Sequence, residues 1–521
     1  MRIPHVLPVI VIVAIGTAVA HGQCENKQFA KLIASDGVTG DDYGEGIAMD
    51  GPWLAVGAYD HAQHGAVYLY EDVSGTWVPR QTLSAPLTGS LAEQLGEHLA
   101  MEGNVLAAHA NGAVGPGAAK AGLVYVFERT GSTWGLTGTL ISTDYAANDG
   151  FGRDLAISNG RILVSAHPKD ASAGAAYVFE KIAGTWQQTA KLLPNDPKSG
   201  ASFGYSLDLD GDRAVVGAIG ADGSFISDGA AYVFELEQGT WQQKAKLVPG
   251  ELAGGFGNPV SISGDTVAVA NGDHVYFFDQ VGPFWIKSAT VYAAGGTTGF
   301  SSSDLEGDRL VVGARNNDEQ GSSAGAMVVF ERTDGFWEDR MKAFPNDPVL
   351  SGQFGFAVSL DGDRVAIGAG GAPGIAPNTG AAYVFSSVPN PHPTYGVGCA
   401  GSGNIVPTLD LPLTYDGCFN LGDDVEFSIS NALGGSFAVL FLGLAPAEIP
   451  VAGSCNLLVS PPLVPVTIPL LGSGPGNGSI TFGATIPQNV GLGAVRAQAF
   501  VADSGAEFGF SVTNGVRVSI N

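Results

Sequence analysis

Seven times along this chain of 521 residues the same order of parts returns, whole or in part. The parts are an aromatic-Gly pair, an alternating strand, a Val-Gly-Ala-like step, a Gly-Ala-x-Tyr-Val-Phe strand and a Trp. The clearest copy runs Phe203-Gly204, Leu207 to Val216, Gly217-Ala218, Gly229-Ala230-Ala231-Tyr232-Val233-Phe234 and Trp241. A period of roughly 50 residues built from short strands constrains the chain to a radial β array. The 76 glycines fit that reading, because many tight turns need residues that accept positive φ without steric cost.

Each unit reads as four strands. In the fourth copy they are Ser206–Leu209, Ala214–Gly217, Ala230–Glu235 and Trp241–Val248, with tight turns at Asp210-Gly211-Asp212 and Gln238-Gly239-Thr240. Six of the seven Trp residues fall at one point of the fourth strand: Trp77, Trp134, Trp186, Trp241, Trp285 and Trp337. A residue locked to the repeat in this way is expected to pack blade against blade, not to stack on ligand. The units begin at Tyr43-Gly44, Leu95-Gly96, Phe151-Gly152, Phe203-Gly204, Phe256-Gly257, Phe300-Ser301 and Phe354-Gly355. The seventh lacks its last strand, whereas Phe29-Ala30-Lys31-Leu32 precedes the first and matches Lys244-Ala245-Lys246-Leu247. The expected architecture is therefore an all-β, seven-bladed β-propeller over residues 24–388. The N-terminal strand completes the last blade and removes an open edge. Burial of Phe29 and Leu32 is expected to contribute roughly 1.5–3 kcal/mol each.

These residues resemble the FG-GAP repeat of integrin α-subunit propellers and of many exported bacterial proteins. Phe203-Gly204 and Val216-Gly217-Ala218 carry the two halves of the motif. Val56-Gly57-Ala58, Val312-Gly313-Ala314 and Ile367-Gly368-Ala369 repeat the second half. Leu95, Val269-Ala270-Asn271 and Ser301 depart from it. The resemblance implies a binding or adhesion-type propeller that meets ligands on the face made by its B–C and D–A loops. Integrin-type repeats often hold calcium between strands A and B. Here those loops are short turns, Asp210-Gly211-Asp212, Glu306-Gly307-Asp308 and Asp361-Gly362-Asp363, too short to wrap six to eight oxygens round an ion. No cofactor is expected. Weak Ca2+ binding by stray carboxylates such as Asp208 and Asp210 stays open.

Residues 1–20 read as a signal peptide: Arg2, an apolar run from Val6 to Val19, and Ala18-Val19-Ala20 as a cleavage site. The protein is therefore expected to be secreted or held at the cell surface, with no transmembrane segment. Four cysteines, Cys24, Cys399, Cys418 and Cys455, suggest disulfides in an exported chain, with three pairings open. The net charge of -26 repels phosphate backbones, so nucleic acid is excluded as a natural partner. The expected partners are an extracellular protein or a glycan, met by a monomer.

Beyond the ring, the Pro-rich stretch 389–398 reads as a linker. Residues 399–521 show short strands at Asp424–Ile429, Phe437–Leu442, Leu463–Leu471, Ser479–Ala484, Ala494–Val501 and Gly509–Ile520, with a hairpin-type turn at Asn514-Gly515. They are expected to form a β-sandwich. Tyr395-Gly396-Val397-Gly398-Cys399, Gln498-Ala499-Phe500 and Ser511-Val512-Thr513-Asn514-Gly515 resemble a C-terminal domain of exported planctomycete-type proteins. That resemblance implies an accessory or surface-association module.

No motif assigns chemistry. There is no His-Glu-x-x-His and no phosphate loop. Gly321-Ser322-Ser323-Ala324-Gly325 lies in a loop before a strand, without the strand–turn–helix that a nucleophile elbow needs. No catalytic or metal residue is assigned. Residues at or just after each Val-Gly-Ala-like step open the B–C loops, and five of them are expected near the axis of the ligand face: Tyr59, His109, His167, Asn271 and Arg315. His109 fills a Gly slot and Asn271 an Ala slot. Two neighbouring blades offering His suggest a metal or an anion. Asp41, Asp42 and Asp149 of the D–A loops flank the same face. Three roles follow: a non-enzymatic exported binding protein, an extracellular polysaccharide hydrolase or lyase with an axial site, or a structural envelope component held by residues 399–521.

Overall fold

The computed structural model describes residues 28–86, 93–113, 121–251, 254–293, 299–333 and 335–387, and beyond these the backbone of strands between 394 and 520. Residues Lys27–Ser387 form one compact unit of seven four-stranded antiparallel sheets. The first strands of blades 1 to 7 are Tyr43–Asp50, Leu95–Glu102, Phe151–Ser158, Phe203–Asp210, Val260–Ser263, Ser302–Glu306 and Val358–Asp361. They line a central channel. The seventh sheet has the order Gln28–Leu32, Ala381–Ser386, Arg364–Ala369, Val358–Asp361, with Lys31 opposite Tyr383 and Leu32 opposite Ala382. The N-terminal strand therefore closes the ring. One expectation is corrected. Leu32 is buried at 8% exposure, but Phe29 stays 62% exposed. Alternate strand residues point to opposite faces, and Phe29 and Leu32 stand three apart.

The core is a ring of seven apolar clusters, each shared by two neighbouring blades. Each of the six repeat-locked Trp residues packs in one of them. Trp337 lies flat on Phe277 of the preceding blade at 4.0 Å.

The repeat's glycines follow from the same interfaces. A Cβ on Gly57 would lie 1.8 Å from the Gly96 carbonyl oxygen of the next blade. Gly217 meets Gly257 at 1.8 Å and Gly368 meets Gly44 at 1.7 Å in the same way. The Val-Gly-Ala glycine of one blade thus makes room for the aromatic-Gly backbone of the next. Only a residue without a Cβ permits that approach.

The loop-face ends of the blades are held in place. The Tyr hydroxyls of the third strands donate to D–A loop carboxylates: Tyr68 to Asp36 at 2.8 Å, Tyr177 to Asp144 at 2.7 Å and Tyr383 to Asp347 at 3.1 Å. Lys191 adds an ion pair to Asp144, and Lys31 one to Asp347.

The C-terminal strands form sheets of seven, three and two strands. They include Asp424–Gly434, Phe437–Gly443, Val464–Pro469, Gly474–Thr485 and Gly493–Ala502. Thr394–Tyr395, inside the expected linker, pairs with Gly515 and Val516. Phe510–Val512 and Gly515–Ile520 both pair with Gly493–Ala502, and the expected turn at Asn514 lies outside the described residues. The expected signal peptide, Cys24 and Cys399 lie outside the described residues.

Candidate functional site

The axial channel encloses about 800 Å³. Its two ends differ. At the A–B turn end, a side chain from one blade accepts a hydrogen bond from the turn amide of the next. Asp50 accepts from Gly103 (2.9 Å), Glu102 from Asn159 (2.8 Å) and Gly160 (3.1 Å), and Ser158 from Gly211 (2.9 Å). Asp210 accepts from Gly264 (2.6 Å), Ser263 from Gly307 (3.0 Å) and Glu306 from Gly362 (2.7 Å). At the seventh interface the Arg364 guanidinium donates to the Gly51 carbonyl and pairs with Asp72.

Midway up the wall, Asp154, Asp208 and Asp304 accept from Leu207, Ile262 and Leu360 of the following blade at 2.7–2.8 Å. The two carboxylates left open for calcium, Asp208 and Asp210, are thus engaged with neighbouring backbone. Burial pushes the Asp154 and Asp304 carboxyls up to about 7 and Asp208 to about 6.

The loop-face mouth is built otherwise. The residue following each aromatic-Gly step lines it: Glu45, Glu97, Arg153, Tyr205, Asn258 and Phe356, with Arg315 from blade 6. Among the described residues the Arg153 side chain makes no hydrogen bond or ion pair, and Arg315 lies over the Phe356 ring at 4.7 Å. Burial raises Glu45 to about 8, helped by Asp42 and Glu97 and opposed by Arg315. Burial also raises Glu97, which Arg153 counters. His98 exposes 32% of its side chain yet is walled in by the channel. Desolvation and then Arg153 press it down to about 4, and His167 likewise. Asp42 accepts from Tyr59, and the half-buried Tyr59 phenol is raised by desolvation and by Glu45.

The residues singled out from sequence divide into three groups. Tyr59, Asp42 and Arg315 meet around Glu45, while His109 and His167 both sense Arg153. His109 does fill the Gly slot: it stands opposite Val124, where Gly217 stands opposite Ala231. It is fully buried, so no large substrate reaches it. His167 packs on Tyr205 at 5.1 Å instead of joining His109. Asp41, Asp149 and Asn271 serve locally. Asp41 accepts from the Val38 amide and faces His61 Nδ1 at 2.9 Å. Asp149 caps Ala146 and pairs with the buried Lys169 at 2.6 Å. Asn271 ends its strand opposite His274. Ser323 of the Gly-x-Ser-x-Gly run donates its amide to Asp318 in a loop followed by strand Ala326–Thr333.

Glu45, Glu97, His98 and Arg153 were missed, although their position just after the aromatic-Gly pair marks the point where the innermost strand enters the channel.

The FG-GAP repeat profile matches residues 27–70, 134–179, 186–234 and 337–385. The chain carries FG-GAP repeats. Each match begins at a fourth strand and ends at the next third strand, the same phase in which the N-terminal strand closes the ring. No curated protein sequence matches the chain significantly. Among solved structures it is similar to the crystal structure of Kluyvelomyces marxianus Hsv2, at 11% identity and a TM-score of 0.39 over 62% of this chain and 89% of that one. That likeness is too loose to bear on function. Among the described residues no helix is long and apolar enough to cross a membrane.

Proposed function

We propose that this FG-GAP propeller is an exported, non-enzymatic binding or adhesion-type protein that holds a protein or glycan ligand on its B–C and D–A loop face. The asymmetry of the channel carries the reading. At the turn end, polar side chains are spent on the neighbouring blade. At the loop end, polar groups ring the mouth, and Glu97 Oε2 and His167 Nδ1 are buried without partners. Preformed polar groups left over by the fold are what a ligand-binding surface needs. The same face exposes Phe225 and Ile226, the latter at 87%, on a loop held by the Asp222 carboxylate through the Ser227 amide and Lys198. Apolar side chains on a rigid loop suit a protein or sugar-ring contact.

The test is a screen of the intact secreted chain against extracellular matrix proteins and glycans. Hits are then rescreened with Arg153→Ala, Phe225→Ser and Asp212→Asn. Binding lost in the first two and kept in the third is expected. Binding that survives both loop-face changes overturns the proposal.

Glu45 favours a second reading, an axial hydrolase or lyase. Its carboxyl, held protonated near neutral pH beside Tyr59 and Arg315, has the character of a general acid. Polysaccharide turnover abolished by Glu45→Gln would establish it.

A further inference from the structure

His109 breaks the repeat at a place where breaking it is costly. In four other blades this slot holds Gly57, Gly217, Gly313 or Gly368, each against the next blade's backbone. In blade 2 the imidazole fills the gap, and Gly152 of blade 3 yields to it: a Cβ there would lie 2.5 Å from the His109 ring. The ring is fully buried; the Phe151 backbone carbonyl lies beside it, but neither nitrogen completes a well-aligned hydrogen bond. An unpartnered buried polar group costs about 1–3 kcal/mol. Packing alone does not explain placing so weakly satisfied an imidazole here.

The groups they face are ligand-type. His109 Nδ1 points at Glu97 Oε2 across 3.6 Å, too far for a hydrogen bond, and that oxygen is also unpartnered. His98 Nε2 stands 3.8 Å from Glu97 Oε1. One ligand atom from each of the three residues lies within 4.8 Å of the others. We propose that Glu97, His98 and His109 form a binding site for a first-row divalent transition cation of the Zn2+ class, opening onto the loop-face mouth of the channel.

Two imidazoles and one carboxylate are a common donor set for such ions, with one coordination position left for solvent or ligand. Ligand bonds of about 2.0–2.2 Å place donors roughly 3.3 Å apart, so a modest rotation of His98 and Glu97 closes the site. The opposing charge is Arg153. It is solvent-exposed and makes no ion pair among the described residues, so it is free to swing away. Glu97 also senses Asp60, which favours a cation. The proposal holds whether or not the face binds a macromolecule.

The experiment uses the untagged, metal-stripped intact chain, titrated with Zn2+ by calorimetry and with Co2+ by visible absorption. One equivalent is expected, with Co2+ bands of low-coordinate nitrogen–oxygen ligation. His109→Gly restores the repeat's own residue and is expected to fold as well as the parent while binding at least tenfold more weakly. His98→Ala should weaken binding equally, and it carries the test if His109→Gly misfolds. His167→Ala should leave affinity unchanged, and Arg153→Gln should tighten it severalfold. No stoichiometric binding, or the same affinity in His98→Ala and His109→Gly as in the parent, overturns the site.

Discussion

Cutting one leucine on the N-terminal strand should open the ring, and cutting its counterpart elsewhere should not. Leu32 and Leu247 occupy the same register, opposite Ala382 in blade 7 and Ala231 in blade 4. They are buried to 8% and 3% exposure. Either Leu→Ala change removes similar apolar area and leaves a similar void, costing about 2–4 kcal/mol. The difference lies in connectivity. Leu247 belongs to a strand continuous with its own blade through a short hairpin. Leu32 anchors a strand joined to Ala381–Ser386 by side-to-side pairing alone, at the four positions Gln28, Ala30, Lys31 and Leu32. The Lys31–Asp347 pair beside it is part-exposed and adds at most about 1 kcal/mol. Phe29, at 62% exposure, should contribute under about 1 kcal/mol.

Urea unfolding followed by Trp fluorescence should therefore show losses of about 2–4 kcal/mol for Leu32→Ala and for Leu247→Ala, and little for Phe29→Ala. Native-state hydrogen exchange should separate the two leucines. In Leu32→Ala, amides of Ala381–Ser386 that bond to the N-terminal strand should exchange through a local opening below the global unfolding free energy. The uncovered edge should also promote association at high concentration. In Leu247→Ala exchange should follow global unfolding. Identical exchange footprints in the two variants would refute the idea that the N-terminal strand is a separable latch.

Three further outcomes follow from the interfaces. Gly217→Ala drives a Cβ to 1.8 Å from backbone and should cost more than about 3 kcal/mol, whereas Gly211→Ala, in open space at φ +57°, should cost only about 1 kcal/mol of backbone strain. Circular dichroism melts distinguish them. Asp154, Asp208 and Asp304 should make stability fall as pH rises from about 4 to about 7, outweighing the opposite contribution of the lowered His98 and His167. Folded Asp154, Asp208 and Asp304 hold their protons to higher pH than the unfolded chain, so folding takes up protons in that window. Melting temperatures at pH 5 and pH 8 should differ accordingly, and Asp154→Asn with Asp304→Asn should flatten the slope. Trp337→Ala, stripping the ring stacked on Phe277, should cost about 3–5 kcal/mol by denaturant titration.

The blade count and its closure were legible because each rests on a pattern that repeats. One register error is invisible in seven aligned copies, and the lone N-terminal match could pair only with the blade that lacked a strand. Phe29 shows the limit of that reading. The motif placed the strand, but an outer strand has one face toward solvent. Apolar character alone did not say which face Phe29 takes.

Single-copy features were harder to read for a physical reason. The acidic turns are too short for calcium loops, yet a single blade does not say what their carboxylates do. Only the ring shows that Asp210 serves the Gly264 amide 54 residues on, and Glu306 that of Gly362. Asp41 and Asp149 look like loop-face ligands until their own loops are seen to fold onto them. The informative signal lay in departures from the repeat. A residue that breaks a constraint shared by other blades has to be stabilised by something, and His109 is such a residue: it displaces a glycine required for close approach and, among the described residues, completes no well-aligned hydrogen bond beyond its approach to the Phe151 carbonyl. Its neighbours Glu97 and His98 stand directly after Gly96, where the varying residues of every blade turn toward the axis. In a repeat ring the invariant positions hold the scaffold together, so binding capacity is best sought where one blade departs from the pattern beside the channel mouth.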